Sequence, residues 1–220
     1  MTNSISISVC SIATPQDWAF VEKLRTPLPS LCERIVMLNQ KGDNDIVRFQ
    51  NITNGIKVFN CTYSGDLNLA ELRNRCIEQT ESEWLIWQDA DDLLCFTEDE
   101  FEEIRSLPPD IAGVEVPVVM FNSETETFYI SYQIKIHRNS KQIYYEYACH
   151  ETVRECFARN GLQFIRKNYL IRHYGYEDKH RYREHLLRNR DILLKDIALN
   201  YPNNEYLLDK LKQTLNELSV

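Results

Sequence analysis

Short apolar runs alternate with amphipathic segments over the first 92 residues of the chain. The runs predict four strands, at residues 5–12, 33–39, 56–60 and 83–88. Between them, apolar residues at helical spacing predict one helix near residues 18–24 and another over residues 67–79, with Asp66 as its N-cap. This alternation of strands and helices predicts a mainly parallel, doubly wound sheet.

The pattern changes after residue 92. A short acidic helix is expected at residues 97–105, and further short strands at residues 112–120, 127–136, 143–147 and 163–173. A turn at residues 122–125 would join the first two of these strands as a hairpin. The second half of the chain is therefore expected to add mixed strands to the parallel half.

The last 44 residues, 177–220, predict two helices separated by Pro202. Their expected apolar stripes are Leu186, Leu187, Leu193, Leu194, Ile197 and Ala198 on the first helix and Leu208, Leu211, Leu215 and Leu218 on the second. We accordingly predict one main domain over residues 1–176 and a helical extension over residues 177–220.

Composition narrows the range of partners. The net charge is −8, whereas a protein that coats a phosphate backbone normally carries a basic surplus, so we expect no nucleic-acid partner. The chain has seven cysteines, which is an odd number, and no CxxC pair occurs. Several of them lie within apolar runs, which favours reduced thiols in a cytoplasmic protein. The N-terminus lacks the pattern of a signal peptide, and no apolar run reaches the roughly 18 residues of a membrane span, so peripheral membrane contact at most is expected.

The strongest candidate for chemistry is the acidic turn Asp89-Ala-Asp91-Asp92. It follows directly on the apolar run Trp-Leu-Ile-Trp-Gln, and ligands of open α/β sheets bind at the carboxyl ends of strands. Asp89 and Asp91 are two positions apart and can share one face. Their repulsion would be relieved by Mg²⁺ or Mn²⁺, with phosphate oxygens completing the coordination. The alternative is a solvated acidic turn that caps the next helix.

A series of motifs in order resembles the family 2 glycosyltransferases. It comprises an "ARN"-like helix at residues 70–74, a "GEW"-like approach to the DADD turn at residues 83–92, an "LFRN"-like segment at residues 135–139, His150-Glu151 in place of "HE", and an "HYGY" segment at residues 173–176. The resemblance covers roughly residues 56–200. It implies an α/β fold of the GT-A (Rossmann-like) type, a doubly wound mixed sheet with a C-terminal α-helical extension. It also implies a nucleotide-sugar donor, an inverting transfer, and Mn²⁺ or Mg²⁺ as cofactor.

The resemblance also implies roles for individual residues. Asp89, Asp91 and His173 would hold the metal, and the residues that would contact the donor are Asn39, Asp66, Arg73, Asn74, Asp89 and His150. Glu151 would be the general base that takes the acceptor's proton, with Asp92 as its rival. Each has a plainer alternative, such as a structural cap for Arg73, a surface pair for His150 and Glu151, or a core histidine for His173.

One segment departs from the family pattern. Where members usually carry an acidic cluster with Gly-Ser after the second strand, this chain reads Met37-Leu-Asn39-Gln-Lys-Gly-Asp43. The change leaves the nucleotide open, although a UDP-sugar is favoured. A basic stretch between Lys179 and Arg190 is either a solvated face, a cover over the diphosphate, or a patch for an acidic acceptor or membrane surface.

Several functions stay open at this point. The acceptor could be a glycan, a peptide or a lipid, reacting through a hydroxyl or a thiol, and the tail helices could instead form a homodimer. A catalytically silent nucleotide-sugar-binding or scaffold module is the main alternative to an enzyme. A nucleotidyltransferase is disfavoured, because the segment after the first strand, Cys10 to Pro15, has no glycine-rich basic loop for a triphosphate.

Overall fold

A computed structural model describes residues 6–13, 27–39, 56–61, 68–122, 126–201 and 204–219, without the side chains of residues 38, 39, 60 and 61. The strands in these ranges are β1 (Ile7–Ala13), β2 (Cys32–Asn39), β3 (Lys57–Cys61), β4 (Trp84–Trp87), β5 (Asp92–Leu94), β6 (Ile111–Asn122), β7 (Thr127–Arg138), β8 (Gln163–Arg166) and β9 (Ile171–His173). The helices are α1 (Leu69–Ile77), α2 (Glu98–Arg105), α3 (Arg154–Asn160), α4 (Lys179–Leu199) and α5 (Glu205–Leu218). The helix predicted near residues 18–24, together with Asp66 and Pro202, lies outside the described residues.

All nine strands form one mixed sheet in the order β3-β2-β1-β4-β7-β6-β9-β5, with β8 also paired to β6. The first four strands in this order are parallel, and β7 is antiparallel to both β4 and β6. The predicted mixed α/β sheet is therefore confirmed. Strands β2 and β3 lie on one side of β1, whereas β4 lies on its other side. The strand order therefore reverses between β1 and β4, which is the kind of position where ligands bind in open sheets.

Alternation along the strands divides the core between the two faces of the sheet. Leu85 and Trp87 of β4 pack on one face, in a cluster with residues of α1 and α3, whereas Trp84 and Ile86 pack on the other, in a cluster with residues of α2. Side chains two positions apart share a face, which is why one short buried strand contributes to both clusters. The sheet is covered by helices on both faces, as expected of a doubly wound fold.

The helices that precede and follow the acidic turn in the chain, α1 and α2, begin at clear caps. Asn68, rather than the predicted Asp66, is the N-cap of α1, and its side chain accepts a hydrogen bond from the Glu71 amide at 3.0 Å. Thr97 and Glu100 form a capping box at the start of α2, which is the acidic helix predicted at residues 97–105. The cap of α1 fixes the helix that carries Arg73.

A β-bulge interrupts the pairing of β6 with β7. Val114 pairs with Ile136 and the next residue, Glu115, pairs with Ile134, so Lys135 is the extra residue. Ile134 packs in the cluster of α1 and α3, whereas Ile136 packs in the cluster of α2. A bulge re-aims a side chain, and this one directs Lys135 towards the acidic turn.

Several predicted elements differ from the observed ones. Residues 143–147 form no strand, because their only ladder contact is an isolated bridge between Glu146 and Thr152 in the described chain. The strand predicted at residues 163–173 is two strands, β8 and β9, separated by four residues. Neither β5 nor α3 was predicted. Both are short, and short elements carry little periodic signal.

The tail helices are present, but their predicted apolar stripes are partly wrong. Leu186 and Leu193 are buried on α4, whereas the adjacent Leu187 and Leu194 are 38% and 50% exposed. On α5, similarly, Leu207 is buried and Leu208 is exposed. Adjacent leucines differ by about 100° around a helix, so a pair of them does not say which one faces inward.

The described residues bear on two further expectations. The cysteines whose side chains are described are all free thiols: Cys10, Cys32, Cys76, Cys95, Cys149 and Cys156. Among the described helices, none has both the length and the apolar character that crossing a membrane requires.

Candidate active site

The acidic turn lies at the carboxyl end of β4, beside the place where the strand order reverses. The amide of Gln88 still donates to the Cys10 carbonyl of β1, at 2.9 Å. The turn is closed by hydrogen bonds from the Asp92 amide to the Asp89 carbonyl and from the Asp89 amide to Asp92 Oδ2, of 2.9 and 3.0 Å. Asp92 then opens β5, where it pairs directly with His173 of β9. The register of this short ladder brings a distant histidine to the turn.

Asp91, Asp92 and His173 form a compact cluster of possible metal ligands. One ligand atom from each lies within 4.8 Å of the others. His173 Nδ1 lies 2.8 Å from Asp92 Oδ1 and 3.6 Å from Asp91 Oδ1. Burial lowers the pKa of His173, but Asp91 and Asp92 outweigh it and raise this pKa to about 9. The predicted ligands Asp91 and His173 are thus brought together, with Asp92 rather than Asp89 as the third member.

Gly175 leaves the cluster no room for another side chain. A Cβ at this position would lie 2.5 Å from Asp91 Oδ2 and 2.6 Å from His173 Nε2. The neighbouring Tyr174 amide donates to the Asp91 carbonyl at 2.9 Å. The glycine of the "HYGY" segment therefore lets the backbone pass directly over two of the three candidate ligands.

Asp89 faces the protein's own cations instead. Its Oδ1 accepts hydrogen bonds from Arg73 Nη2 at 2.9 Å and from Trp87 Nε1 at 2.8 Å, and its Oδ2 accepts from Lys135 Nζ at 2.6 Å. Burial raises the pKa of Asp89, but Arg73 and Lys135 outweigh it and hold this pKa well below its usual range. Lys135 Nζ also lies 3.3 Å from Asp92 Oδ2. Asp89 is therefore already neutralised by two side chains.

Sequence reasoning did not identify Lys135 as a site residue. It opens the "LFRN"-like segment at residues 135–139, which was the one signal that could have indicated it. The bulge that directs its side chain depends on the pairing of β6 with β7. Such a pairing joins residues far apart in the sequence, and a local pattern does not reveal it.

Arg73 links Asp89 to Glu151. Its Nε donates to Glu151 Oε1 at 2.6 Å, and its Nη2 bonds the same oxygen as well as Asp89. The guanidinium lies over the ring of Trp87, 4.2 Å from the centroid, and 5.0 Å from that of Tyr145. A single buried arginine, Arg73, thus joins Asp89 and Glu151, two residues that the resemblance implied to belong to the site.

The remaining residues predicted to contact the donor are Asn74, His150, Asn39 and Asp66. Asn74 uses both ends of its amide on the Tyr145 backbone, at 2.8 and 3.0 Å. His150 has a buried Nε2 with no hydrogen-bond partner in the described structure, and burial lowers its pKa. Asn39 ends β2, but its side chain is not described, and Asp66 lies outside the described residues.

The basic stretch on α4 divides into two parts. Arg181, in the first turn of the helix, has its Nη2 3.9 Å from Asp91 Oδ2. Other members of the stretch are exposed: Lys179, His180, Arg183 and Arg188. The start of the helical tail, capped by Asp178, therefore lies beside the candidate metal cluster.

Comparisons with known proteins identify the fold of the chain. No protein-family model matches the chain, and no curated protein matches its sequence. Among solved structures, Staphylococcus aureus TarS residues 1–349 with UDP-GlcNAc is similar at 12% identity, over 95% of this chain and 72% of that one, with a TM-score of 0.55. The mannosyltransferase PcManGT of Pyrobaculum calidifontis, in complex with GDP-Man and Mn²⁺, is similar at 12% identity, over 99% and 70%, with a TM-score of 0.57. The chain has the mixed α/β architecture of GT-A-like glycosyltransferase folds.

Proposed function

We propose that the chain is a metal-dependent glycosyltransferase of the family 2 type, which moves a sugar from a nucleotide-diphosphate donor to an acceptor hydroxyl or thiol with inversion. The observation that carries this proposal is the cluster of Asp91, Asp92 and His173 at the carboxyl end of β4. Structures of similar fold are complexed with UDP-GlcNAc, UDP, or GDP-Man and Mn²⁺. A donor of this class is the ligand that suits the position of the cluster.

The cluster fits a divalent cation by its chemistry. Two carboxylates and one imidazole are ligands that Mn²⁺ accepts, and His173 would release its proton when the ion binds. Carboxylates with phosphate oxygens also suit Mg²⁺. Asp92 is held by His173 and Lys135, which fixes its orientation. When bound, the ion would neutralise charge on the leaving diphosphate. We assign Asp91, Asp92 and His173 as the metal ligands, and we propose that Asp89 contacts the donor.

Asp89 remains open enough to meet a donor. Its side chain is 30% exposed although three groups bond it. A carboxylate fixed by Arg73 and Lys135 can accept a hydrogen bond from a hydroxyl of the donor without needing to reorient. In this arrangement Arg73 acts on the donor through Asp89. Arg181, which lies 3.9 Å from Asp91, would be the cation beside the donor's diphosphate.

Glu151 is the better candidate for the base. Asp92 is fully buried and bonded by both Lys135 and His173, so it is poorly placed to meet an acceptor. Glu151 is 7% exposed, and Arg73 bonds it through one oxygen, Oε1. A base must lie within hydrogen-bond reach of the proton that it removes, and Oε2 is the oxygen of Glu151 that would meet an acceptor hydroxyl.

A panel of nucleotides with and without Mn²⁺ tests the proposal. We expect UDP or GDP to raise the melting temperature only when Mn²⁺ is present, and mass spectrometry to detect glycosylated product in a mixed screen of donors and acceptors. Stabilisation by triphosphates alone would instead favour a nucleotidyltransferase. Metal-dependent binding of a nucleotide-sugar without turnover of any donor would favour the silent binding module.

A further inference from the structure

Glu151 belongs to a closed loop with two strained backbone positions. Glu146 and Thr152 pair through mutual backbone hydrogen bonds of 3.1 and 3.2 Å, which close residues 147–151, here named the Glu151 loop. Within it, Tyr147 and His150 have positive φ angles of 73° and 55°. Such angles are unfavourable for bulky residues and persist only where the surroundings fix them. Something outside the loop must therefore hold it.

The C-terminal helices bond the loop's backbone at two points. The buried Asp196 of α4 accepts a hydrogen bond from the Ala148 amide through Oδ2, at 2.9 Å. The hydroxyl of Tyr206 on α5 donates to the carbonyl of His150, which is one of the strained residues, at 3.0 Å. Each helix of the tail thus supplies one side chain that bonds the backbone of the loop.

The other strained residue, Tyr147, is enclosed by the tail. Its ring lies 5.1 Å from that of Tyr201 and 5.5 Å from that of Tyr206, the second in a stacked geometry. Asn204, the N-cap of α5, donates to the Tyr147 hydroxyl at 3.0 Å. These contacts belong to a separate hydrophobic cluster that joins the loop to both tail helices.

Helix α1 holds the loop from the opposite side. The Leu69 amide donates to the Ala148 carbonyl at 2.9 Å, so both polar backbone groups of Ala148 are bonded, one by the tail and one by α1. The same helix carries Arg73, the partner of Glu151. The loop is therefore fixed between the helix that bonds its carboxylate and the tail that fixes its backbone.

We propose that the α4–α5 pair is a positioning element for Glu151, with Tyr206 and Asp196 as positioning residues. This inference rests on the proposed function, in which Glu151 removes the acceptor's proton. The tail fixes the two strained residues that flank the turn of the loop, and so keeps the carboxylate beside Arg73. Its contribution should appear in the turnover step rather than in the binding of the donor.

Tyr206→Phe is the test, because it removes one hydroxyl and keeps the stacked ring. The matched control is Tyr182→Phe, which removes a hydroxyl that joins α4 to Glu217 of α5 and bonds no residue of the loop. In hydrogen exchange by mass spectrometry, the Glu151 loop should exchange roughly 2- to 10-fold faster in Tyr206→Phe, the worth of one hydrogen bond. The control should match the wild type there. Equal exchange in both variants would overturn the proposal.

Kinetics provide the second readout. Release of nucleoside diphosphate from UDP-GlcNAc or GDP-mannose with Mn²⁺ should show a lower kcat in Tyr206→Phe, by a similar factor, while calorimetry gives an unchanged donor Kd. Faster exchange with an unchanged kcat would contradict the positioning role. If Glu151→Gln turns over at the wild-type rate, or the wild type shows no turnover, the proposed function fails instead, and the exchange result still decides whether the tail holds the loop.

Discussion

Asp89 and Asp91 are two residues apart in one motif, yet their surroundings are opposite. Asp89 lies between Arg73, which also bonds Glu151, and Lys135, which also bonds Asp92. Asp91 belongs to a cluster of two carboxylates and an imidazole. We propose that this difference decides which carboxylates bind a divalent ion. A DxD motif in a sequence does not by itself indicate two equivalent metal ligands.

The contrast has a simple electrostatic origin. Neighbouring carboxylates disfavour each other's charged form unless a cation lies between them. On the Asp89 side the chain supplies those cations from α1 and from the bulge in β7, whereas on the Asp91 side it supplies His173. We call these the cation side and the metal side. The predictions below separate them, from the largest expected effect to the smallest.

On the cation side, Glu151→Gln should lower transfer by roughly 10²–10⁴-fold, the usual worth of general base catalysis. The amide keeps the shape of the side chain but cannot accept the proton. Steady-state kinetics should place the loss in kcat, and calorimetry should find Mn²⁺-dependent donor binding intact. Asp92→Asn is the comparison, and as a change to a proposed ligand it should also weaken Mn²⁺-dependent donor binding. The base would be reassigned if Glu151→Gln kept transfer while Asp92→Asn lost transfer with donor binding intact.

Lys135→Met should destabilise the protein by about 3–5 kcal/mol, because it removes a buried cation from the fully buried carboxylate of Asp92 and from Asp89. Chemical denaturation would measure the free energy of unfolding, and Lys135→Arg should recover part of it. Lys135 also bonds Asp92, one of the proposed ligands, so an added ion can offset part of the lost charge. Mn²⁺ should therefore raise the melting temperature more in Lys135→Met than in the wild type. Equal shifts in the two proteins would indicate that Lys135 and the ion act on separate charges.

On the metal side, Asp91→Asn should weaken Mn²⁺-dependent binding of UDP by at least roughly 10–100-fold, the range seen when even the outer partners of metal ligands are removed. Asp89→Asn is the matched variant, with the same chemical change two residues away. It should alter stability more than metal affinity. Isothermal calorimetry would measure metal binding in both variants. A larger loss of affinity in Asp89→Asn than in Asp91→Asn would reverse our assignment.

Gly175→Ala should have the smallest effect. Its Cβ would press on Asp91 and His173 without removing a ligand, so the fold should persist while Mn²⁺ affinity falls by less than in Asp91→Asn, by about 1 kcal/mol, the lower end of the cost of overpacking. Titration with Mn²⁺ monitored by electron paramagnetic resonance would measure the loss. An affinity equal to that of the wild type would mean that the backbone over the cluster moves freely.

The sequence predicted the parallel half of the sheet well. Strands β1 and β4 are buried on both faces, whereas β3 at the edge of the sheet is only partly buried. All four parallel strands are short runs rich in apolar residues, and each lies within one or two residues of its predicted bounds. It failed where the structure depends on distant pairing. Ile143, Tyr145 and Tyr147 alternate with polar residues and are buried, as in a strand, yet Tyr145 is held by Asn74 and Tyr147 by the tail rather than by a ladder.

The candidate site shows the same limit. The order of motifs brought Arg73, Asp89 and Glu151 into one predicted site, together with Asp91 and His173. It named Asp89 rather than Asp92 as the third ligand, whereas the structure clusters Asp92 with Asp91 and His173 and bonds Asp89 to Arg73 and Lys135. The position of Asp89 depends on Lys135. That side chain is directed by a bulge, and a bulge is a property of two paired strands.

The most direct test is to locate the ion. Crystals grown with UDP and Mn²⁺ should give one anomalous peak near the carboxylates of Asp91 and Asp92 and the imidazole of His173, with Arg73 and Lys135 still bonded to Asp89. A peak bonded to Asp89, with its cations displaced, would contradict the division of the turn into a cation side and a metal side.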